Sequence, residues 1–276
     1  MAEAPEFKLR TFREGDEHAL AHLFNATAAG FMGPIRVTAK SWREQYRRRS
    51  WTGPSLTEDR SSCRIAERRG RILGYAVTDY QPQWMDEAAV VQELCVVEED
   101  GAEELMEALL SDAEERALSK GRSYVLLYLS AEDGRLEPVK DRLGYHEEEE
   151  SGVFMASVLD LPHFLEEIEP ALTARLEESR MGEWQGAVRM ICGEQSAALV
   201  CREGKVRVTA RVSRAKITAK VQEAALPLLL LGRQSVGELY IQDLIAVRTS
   251  DKMEALRLLD ALFPRIPLFL PRAQWW

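Results

Sequence analysis

The spacing of apolar residues over the first 160 positions predicts a chain that alternates strands with helices. Residues 8–12 have the short apolar and polar alternation of an edge strand. Apolar side chains then recur every three or four residues, which indicates a helix whose first turn Asp16 is able to cap. A second helix is expected over residues 38–49.

The next part of the chain predicts a hairpin and then a buried central strand. Strand-like residues occupy positions 63–67 and 71–78, and the dipeptide Arg69-Gly70 between them suits a tight turn. Residues 88–97 are apolar almost without interruption, which is typical of a strand covered on both faces. We therefore expect this strand to lie inside the sheet.

A long helix and three shorter elements complete the first half. Residues 102–119 carry apolar side chains along one side, and Gly121 suits the end of that helix. A strongly apolar strand is expected over residues 124–130, a short helix over 139–143 and a last strand over 153–159.

From about residue 160 the pattern starts again, so we place a domain boundary there. Pro162 suits the first turn of a helix that runs to about residue 179. The expected strands cover residues 197–202, 205–212 and 216–221, and the expected helices cover residues 222–231, 235–240 and 252–263.

Composition and charge exclude several classes of protein. The 46% of hydrophobic and 29% of charged residues are those of a globular protein. A net charge of -9 argues against a nucleic-acid partner, because such binders usually show a basic face. No apolar run approaches the roughly 20 residues that span a bilayer, and no secretion signal is visible. We expect a cytoplasmic protein without a membrane partner.

Cysteine and histidine spacing gives no sign of a metal site. The cysteines lack CxxC spacing and are expected to be reduced and buried: Cys63, Cys95, Cys192 and Cys201. His18 and His22 are four residues apart but have no acidic ligand at a suitable spacing, so we expect no bound metal.

Short motifs in both halves resemble known families. In the first half, Gly70-Arg71-Ile72-Leu73-Gly74-Tyr75-Ala76, Glu93-Leu94-Cys95-Val96 and Arg142-Leu143-Gly144-Tyr145 resemble the GNAT family of N-acetyltransferases, as does the order of the expected elements. The second half resembles the sterol-carrier-protein-type domain of the enhanced-intracellular-survival (Eis-type) acetyltransferases, through Leu231-Gly232-Arg233-Gln234-Ser235, Leu259-Asp260-Ala261-Leu262-Phe263-Pro264 and Trp275-Trp276.

The resemblance implies an α+β protein of two domains. Residues 1–160 would form a GNAT-like domain, a mixed central sheet flanked by helices. Residues 161–276 would form a sterol-carrier-protein-like α+β domain. Eis-type proteins have two GNAT units before that domain, and this chain has room for one.

The resemblance also implies acetyl-CoA as the acyl donor. Family members pair the pantetheine amides with the splayed central strand, here Leu94, Cys95 and Val96. They hold the pyrophosphate at the start of the long helix, here Gly101, Ala102, Glu103, Glu104, Leu105 and Met106. A helix N-terminus suits an anion because its N–H groups are free and its dipole is favourable.

This loop departs from the family pattern Arg/Gln-x-x-Gly-x-Gly/Ala. Aligned without gaps, Gly101 stands at the Arg/Gln place, Glu104 at the first glycine and Met106 at the second small residue. The Glu103 and Glu104 carboxylates would repel a pyrophosphate. Either the loop is an altered cofactor site, or the acids of residues 98–104 only complement the helix dipole.

Three residues are candidates for acid–base chemistry. Glu93 matches a position that often serves as general base in the family; the alternative is a structural carboxylate in a salt bridge. The family tyrosine that protonates the thiolate falls on Lys140, either a proton donor or a solvated helix lysine. Eis-type proteins use their C-terminal carboxylate as a base, which makes Trp276 the third candidate; docking of Trp276 on the domain junction is the alternative.

One further cluster combines basic and aromatic side chains, namely Arg43, Arg47, Arg48 and Arg49 with Trp42, Tyr46 and Trp51. In a GNAT fold this region lines the acceptor side and would suit an anionic or aromatic ligand. The alternative is a solvated helix face whose arginines lay their apolar stems along the surface.

The leading functional hypothesis is CoA-dependent acetyl transfer to the amine of a small molecule or peptide by a homo-oligomer. Two alternatives remain open: a catalytically inactive GNAT-fold binding protein, and a carrier of hydrophobic ligands through the second domain.

Overall fold

The computed structural model describes residues 7–31, 36–47, 53–83, 86–97, 101–129, 133–146 and 158–266. The described residues form two compact units, which divide between residues 146 and 158. The domain boundary predicted near residue 160 agrees with this division. The assignment of whole domains to residues 1–160 and 161–276 stays a prediction.

The first unit is built on a five-stranded mixed sheet. Its strands are β1 (Lys8–Thr11), β2 (Cys63–Arg68), β3 (Arg71–Asp79), β4 (Ala88–Val96) and β5 (Tyr124–Leu127). They lie in chain order; β4 and β5 are parallel and the other neighbours are antiparallel. Its helices are α1 (Glu17–Ala28), α2 (Ala39–Gln45), α3 (Ala102–Ser119) and α4 (Glu137–Leu143).

Helices cover both faces of this sheet, which explains the apolar run of β4. Side chains of α1 and α2 share a core cluster with Tyr75 and Cys95, whereas α3 shares another cluster with Leu94 and Val96. Every residue of β4 is buried as a result. The predicted mixed sheet flanked by helices is confirmed.

Local signals in the first unit predicted most of these elements. Arg69 and Gly70 have φ angles of 51° and 82°, the left-handed pair that a tight hairpin turn requires. The long helix has the predicted bounds, with Leu105 and Leu109 facing the core.

Two predictions for the first half of the chain need correction, and a third is not tested. The Asp16 side chain does not cap α1, because it accepts hydrogen bonds from the Arg10 guanidinium at 2.8 and 2.9 Å instead. The strand expected over residues 124–130 ends at Leu127, since β5 leaves its neighbour there. The strand expected over residues 153–159 lies almost wholly outside the described residues.

The second unit has a sheet of its own with strand order β10-β9-β6-β7-β8. The strands are β6 (Gly186–Cys192), β7 (Gln195–Arg202), β8 (Lys205–Thr209), β9 (Ile217–Val221) and β10 (Ile245–Arg248). The helices are α5 (Leu161–Glu167), α6 (Glu169–Glu178), α7 (Leu226–Leu230), α8 (Val236–Ile241) and α9 (Lys252–Leu262). One core cluster joins the helices to the sheet.

The sequence prediction was less accurate for this unit. The helix expected over residues 161–179 is broken at Ile168, because Pro170 lies in the first turn of α6 and has no N–H to continue the ladder. Strands β6 and β10 were missed, and the helix expected over residues 222–231 is reduced to α7.

Within the described part of the chain, no helix is long and apolar enough to cross a membrane. Over the same residues, no group of three potential metal ligands occurs. All four cysteines are free and buried, as predicted.

Candidate active site

Strands β4 and β5 diverge halfway along β4. Their ladder ends at the pair Val91 and Leu127, and one further bond joins the Tyr128 N–H to the Val91 carbonyl at 2.8 Å. The ladder between β4 and β3 continues to Val96. Over the described residues, positions 92–96 therefore have no strand partner on their β5 side.

A β-bulge at Gln92 sets which side chains face each helix layer. Val77 pairs with Glu93 and Thr78 with Val91, so Gln92 is the extra residue. Without it, Glu93 would face α3 as Val91 does, because side chains alternate along a strand. The extra residue turns Glu93 towards α1 and α2.

Three neutral donors hold the Glu93 carboxylate there. The Tyr46 hydroxyl donates to Oε1 at 2.6 Å, and the Tyr75 hydroxyl donates to Oε2 at 2.7 Å. Trp42 Nε1 lies 3.4 Å from the same Oε2. Trp42 and Tyr46 are four residues apart on α2, which places both side chains on one face of that helix.

Burial controls the ionisation of this cluster. Glu93 is only 3% exposed, and the loss of hydration raises its pKa above the usual carboxyl value, although the three donors oppose the shift. Burial, with the Glu93 charge nearby, also raises the pKa of Tyr46 and of Tyr75 well above that of a free phenol. The tyrosines therefore keep their protons and donate.

The salt bridge expected as the alternative for Glu93 does not form among the described residues. Its partners there are the two tyrosines and the tryptophan, none of them charged. Within the described part of the chain, the bulge carries Glu93 into an aromatic layer, and Arg43 of α2 binds Glu17 instead.

A cleft opens where the two strands diverge. It encloses about 530 Å³ of empty space, part of it open to solvent. One wall is β4 itself, from Glu93 to Val96. Another is formed at and just beyond the end of α1 by Phe24, Thr27, Ala28 and Phe31, whose spacing of three and four residues puts them on one side.

The remaining walls combine apolar side chains with one ion pair. Met106 of α3 lines the cleft, as do Leu129 and Leu136 around the start of α4. The Arg135 guanidinium binds the Asp133 carboxylate through two hydrogen bonds of 2.8 and 2.7 Å. Sequence reasoning missed both charged residues, although an acid and an arginine two positions apart beyond a strand were a usable signal.

The predicted cofactor residues separate into two groups. Leu94, Cys95, Val96 and Met106 line the cleft together with the predicted base. The others, Gly101, Ala102, Glu103, Glu104 and Leu105, lie at the start of α3, where Leu105 is buried in the core. Trp276, the other predicted catalytic residue, lies outside the described residues.

The start of α3 is strongly acidic, and the positions of its two carboxylates follow from their contacts. Gly101 is the N-cap, with φ 91°, and no side chain caps it. Glu103 is bound by Arg142 at 3.2 Å, and the same guanidinium binds Glu107 at 2.9 Å. The Glu104 carboxylate folds back towards the N-cap, with Oε2 3.7 Å from the position that a Gly101 Cβ would take.

The contacts of Lys140 and of the basic–aromatic cluster bear on the roles that the sequence left open for them. Lys140 Nζ pairs with Glu137 at 2.8 Å. Trp42 and Tyr46 are each 1% exposed and so belong to the Glu93 cluster, while Arg43 turns outward to bind Glu17 at 2.7 Å. Arg43 and Arg47 are exposed, as expected for a solvated helix face, whereas the two aromatic side chains are buried. Arg48, Arg49 and Trp51 lie outside the described residues.

No protein-family model matches the sequence, and no curated protein matches it. Over 99% of its length the chain is similar in structure to a GCN5-related N-acetyltransferase from Kribbella flavida, with a TM-score of 0.57 and 16% identity, and it covers 60% of that chain. Over 97% it is similar to a GCN5-related N-acetyltransferase from Anabaena variabilis, with a TM-score of 0.56 and 10% identity, covering 62% of that chain. At these identities the likeness shows the fold.

The chain thus spans about 60% of the length of each of these two structures. The GNAT-like fold expected from the motifs is confirmed, and activity is a separate question.

Proposed function

We propose that the first unit transfers an acyl group from a CoA thioester to an amine. The observation that carries the proposal is the fork between β4 and β5, where an open strand edge runs beside a buried carboxylate. The likeness to two GCN5-related N-acetyltransferases supports it at the level of fold.

The open edge of β4 suits the pantetheine arm. The Val97 N–H bonds to Leu73 of β3 at 2.8 Å, and backbone groups alternate in direction along an antiparallel strand. The backbone groups of Leu94 and Val96 therefore point into the cleft, where they can pair with the amides of the arm. Acyl-CoA, when bound, supplies an activated thioester carbonyl at the end of that arm.

Glu93 is the base in this proposal. At neutral pH an amine is protonated as an ammonium ion, and it attacks the thioester carbonyl only after it loses a proton. From the described residues, Oε1 of Glu93 accepts one hydrogen bond, donated by Tyr46, which leaves a lone pair for that proton. Burial raises the pKa of Glu93 towards neutral pH, which makes its carboxylate a better base than that of an exposed glutamate.

The diphosphate of coenzyme A fits less well than its arm. The amides of the first turn of α3 suit an anion, but the Glu104 carboxylate lies against the N-cap and Glu103 stands beside it. Two like charges 4 Å apart repel by about 1 kcal/mol even in water. We therefore propose a donor that is bound mainly through its arm.

Calorimetric titration with acetyl-CoA tests this function. We expect exothermic binding that weakens when bulky residues close the fork, as in Ala28→Trp, whose site lines the cleft beside β4. The matched control is Ala26→Trp, an exposed position on the same helix. The absence of heat and of thermal stabilisation at millimolar acetyl-CoA would reject acyl transfer from CoA.

A second function is favoured by a specific observation. Because the Glu104 carboxylate lies near the N-cap of α3 and Lys140 is paired with Glu137, both features that the resemblance links to CoA are altered. A GNAT-fold protein that binds a ligand in the cleft without acyl transfer fits these contacts. Binding of amines without any acetyl-CoA binding in the titration would favour it.

For the second unit we propose a sterol-carrier-protein-like domain, joined to one GNAT unit in a homo-oligomer. The sequence motifs at residues 231–235 and 259–264 support the domain, and the similarity to the two solved structures extends over this unit as well. A carrier of hydrophobic ligands through this unit stays a prediction. Light scattering of the purified chain tests the oligomer; a monomer at micromolar concentration would refute it.

A further inference from the structure

The cleft has one unbalanced negative charge. Of the described residues that line it, three have ionisable carboxylate or guanidinium groups. Asp133 and Arg135 bind each other through two hydrogen bonds. Glu93 receives only neutral donors from the described residues.

A buried carboxylate with no cation beside it is costly unless a ligand supplies the charge. Taking a carboxylate out of water costs several kcal/mol, which hydrogen bonds from neutral groups only partly offset. No second donor among the described residues contacts Oε1, which leaves a direction for one more. A ligand ammonium would supply both the donor and the missing positive charge.

The rest of the cleft is suited to an apolar ligand body. Phe24 and Phe31 line it, as do Leu129 and Leu136. Polar groups placed against these side chains would lose their hydration without gaining a hydrogen bond. An aromatic or aliphatic body would gain from the same burial.

The charges of the lining favour a monoamine over two other common kinds of amine. A free amino acid adds a carboxylate, and the charge of the Arg135 guanidinium is already balanced by Asp133, which it binds through Nε and Nη2. A polyamine has additional ammonium groups, for which the described lining offers no further unpaired carboxylate.

We infer that the acceptor is an apolar monoamine, a primary amine on an aromatic or aliphatic body, bound with its ammonium at Glu93. This inference rests on the proposed acyl transfer and names the substrate class of the same cleft.

The test is calorimetric binding of four probes to the full chain at pH 8, without any acyl donor: phenethylamine, phenethyl alcohol, phenylalanine and spermidine. We expect phenethylamine to bind about tenfold or more tightly than its alcohol, because a hydrogen bond between two charged groups is stronger than one from a neutral hydroxyl. Phenylalanine and spermidine are expected to bind more weakly than phenethylamine.

Two variants sharpen the result. In Glu93→Gln the preference for the amine over the alcohol should disappear, whereas the control Glu44→Gln, an exposed carboxylate on α2, should retain it. The comparison of amine with alcohol needs only the unaltered protein, so it stands even if Glu93→Gln fails to fold. Equal binding of amine and alcohol, or tighter binding of spermidine, would overturn the inference.

Acetyl-CoA is added only afterwards, which separates the two proposals. Amine binding with no turnover would refute acyl transfer and leave the amine site standing. Turnover of spermidine or of phenylalanine in preference to phenethylamine would refute the substrate class and leave acyl transfer standing.

Discussion

At the scale of single residues, Glu93 determines what the cleft can do. Its carboxylate is buried, is held by Tyr46, Tyr75 and Trp42, and has a raised pKa. A raised pKa in the folded state means that folding favours the protonated form. This contribution to stability is fully present below pH about 4.5, the value of an unperturbed glutamate, and is lost as pH rises through the folded-state pKa.

This linkage predicts the behaviour of Glu93→Gln. We expect the unaltered protein to lose stability relative to this variant as pH rises from 4 to 8, because only the unaltered protein must ionise a buried carboxyl. Thermal unfolding at several pH values measures the difference, with Glu44→Gln as the exposed control. A stability difference that is constant with pH would show that Glu93 does not have a raised pKa.

Tyr46→Phe should change the pH dependence of activity. Loss of the 2.6 Å hydrogen bond removes a donor that lowers the pKa of Glu93, so that pKa rises further. The acidic limb of kcat/KM against pH should move upward by about one unit, since a hydrogen bond to a charged group contributes about 1.5–3 kcal/mol. Tyr80→Phe, at a buried tyrosine that makes no contact with Glu93, should leave the limb in place.

At the scale of elements, the fork depends on the close packing of β3 against β4. A Cβ at Gly74 would lie 2.8 Å from Val96 Cγ1 and 2.9 Å from the Cys95 carbonyl oxygen. These atoms belong to the strand that forms one wall of the cleft. Glycine at this position therefore lets the two strands approach.

Gly74→Ala should push β4 out of place. We expect a loss of about 1–3 kcal/mol in the free energy of unfolding, typical of overpacking, together with weaker binding of acetyl-CoA. Urea denaturation measures the first and calorimetry the second. Gly134→Ala is the control, because nothing lies within 4 Å of a Cβ there; equal effects of the two substitutions would contradict this account.

Elements with strong local sequence patterns could be predicted from the sequence. The site, by contrast, depends on contacts between residues far apart in sequence, which leave no local pattern. The Arg69-Gly70 turn and the apolar stripe of α3 are local patterns, and both were predicted correctly. The bulge at Gln92 appears only when β4 is paired with β3, so the direction of Glu93 could not be predicted. Its tyrosine partners come from α2 and β3, at sequence separations of 47 and 18.

At the scale of the whole molecule, charge governs how a donor is held. The chain has a net charge of -9, and Glu103 and Glu104 lie in the first turn of α3. Coenzyme A is itself anionic, so its diphosphate end approaches an unfavourable potential. The arm, by contrast, meets an uncharged strand edge.

This predicts that Glu104→Ala improves CoA binding. Removal of the carboxylate from the N-cap should lower the Kd for CoA by about tenfold, equivalent to roughly 1.4 kcal/mol, and leave the Kd for pantetheine unchanged. Glu115→Ala, an exposed acid farther along α3, controls for the change in net charge. Weaker CoA binding in Glu104→Ala would show that this carboxylate supports the cofactor site.

The most direct test of acyl transfer at the fork is amine-dependent release of the CoA thiol from acetyl-CoA. A panel of apolar monoamines, polyamines and amino acids should be offered to the unaltered protein, Glu93→Gln and Glu44→Gln. We predict thiol release by the unaltered protein and by Glu44→Gln, and a rate lower by about a hundredfold or more in Glu93→Gln, as expected for loss of a general base. No release with any amine, or equal release by Glu93→Gln, would contradict the account.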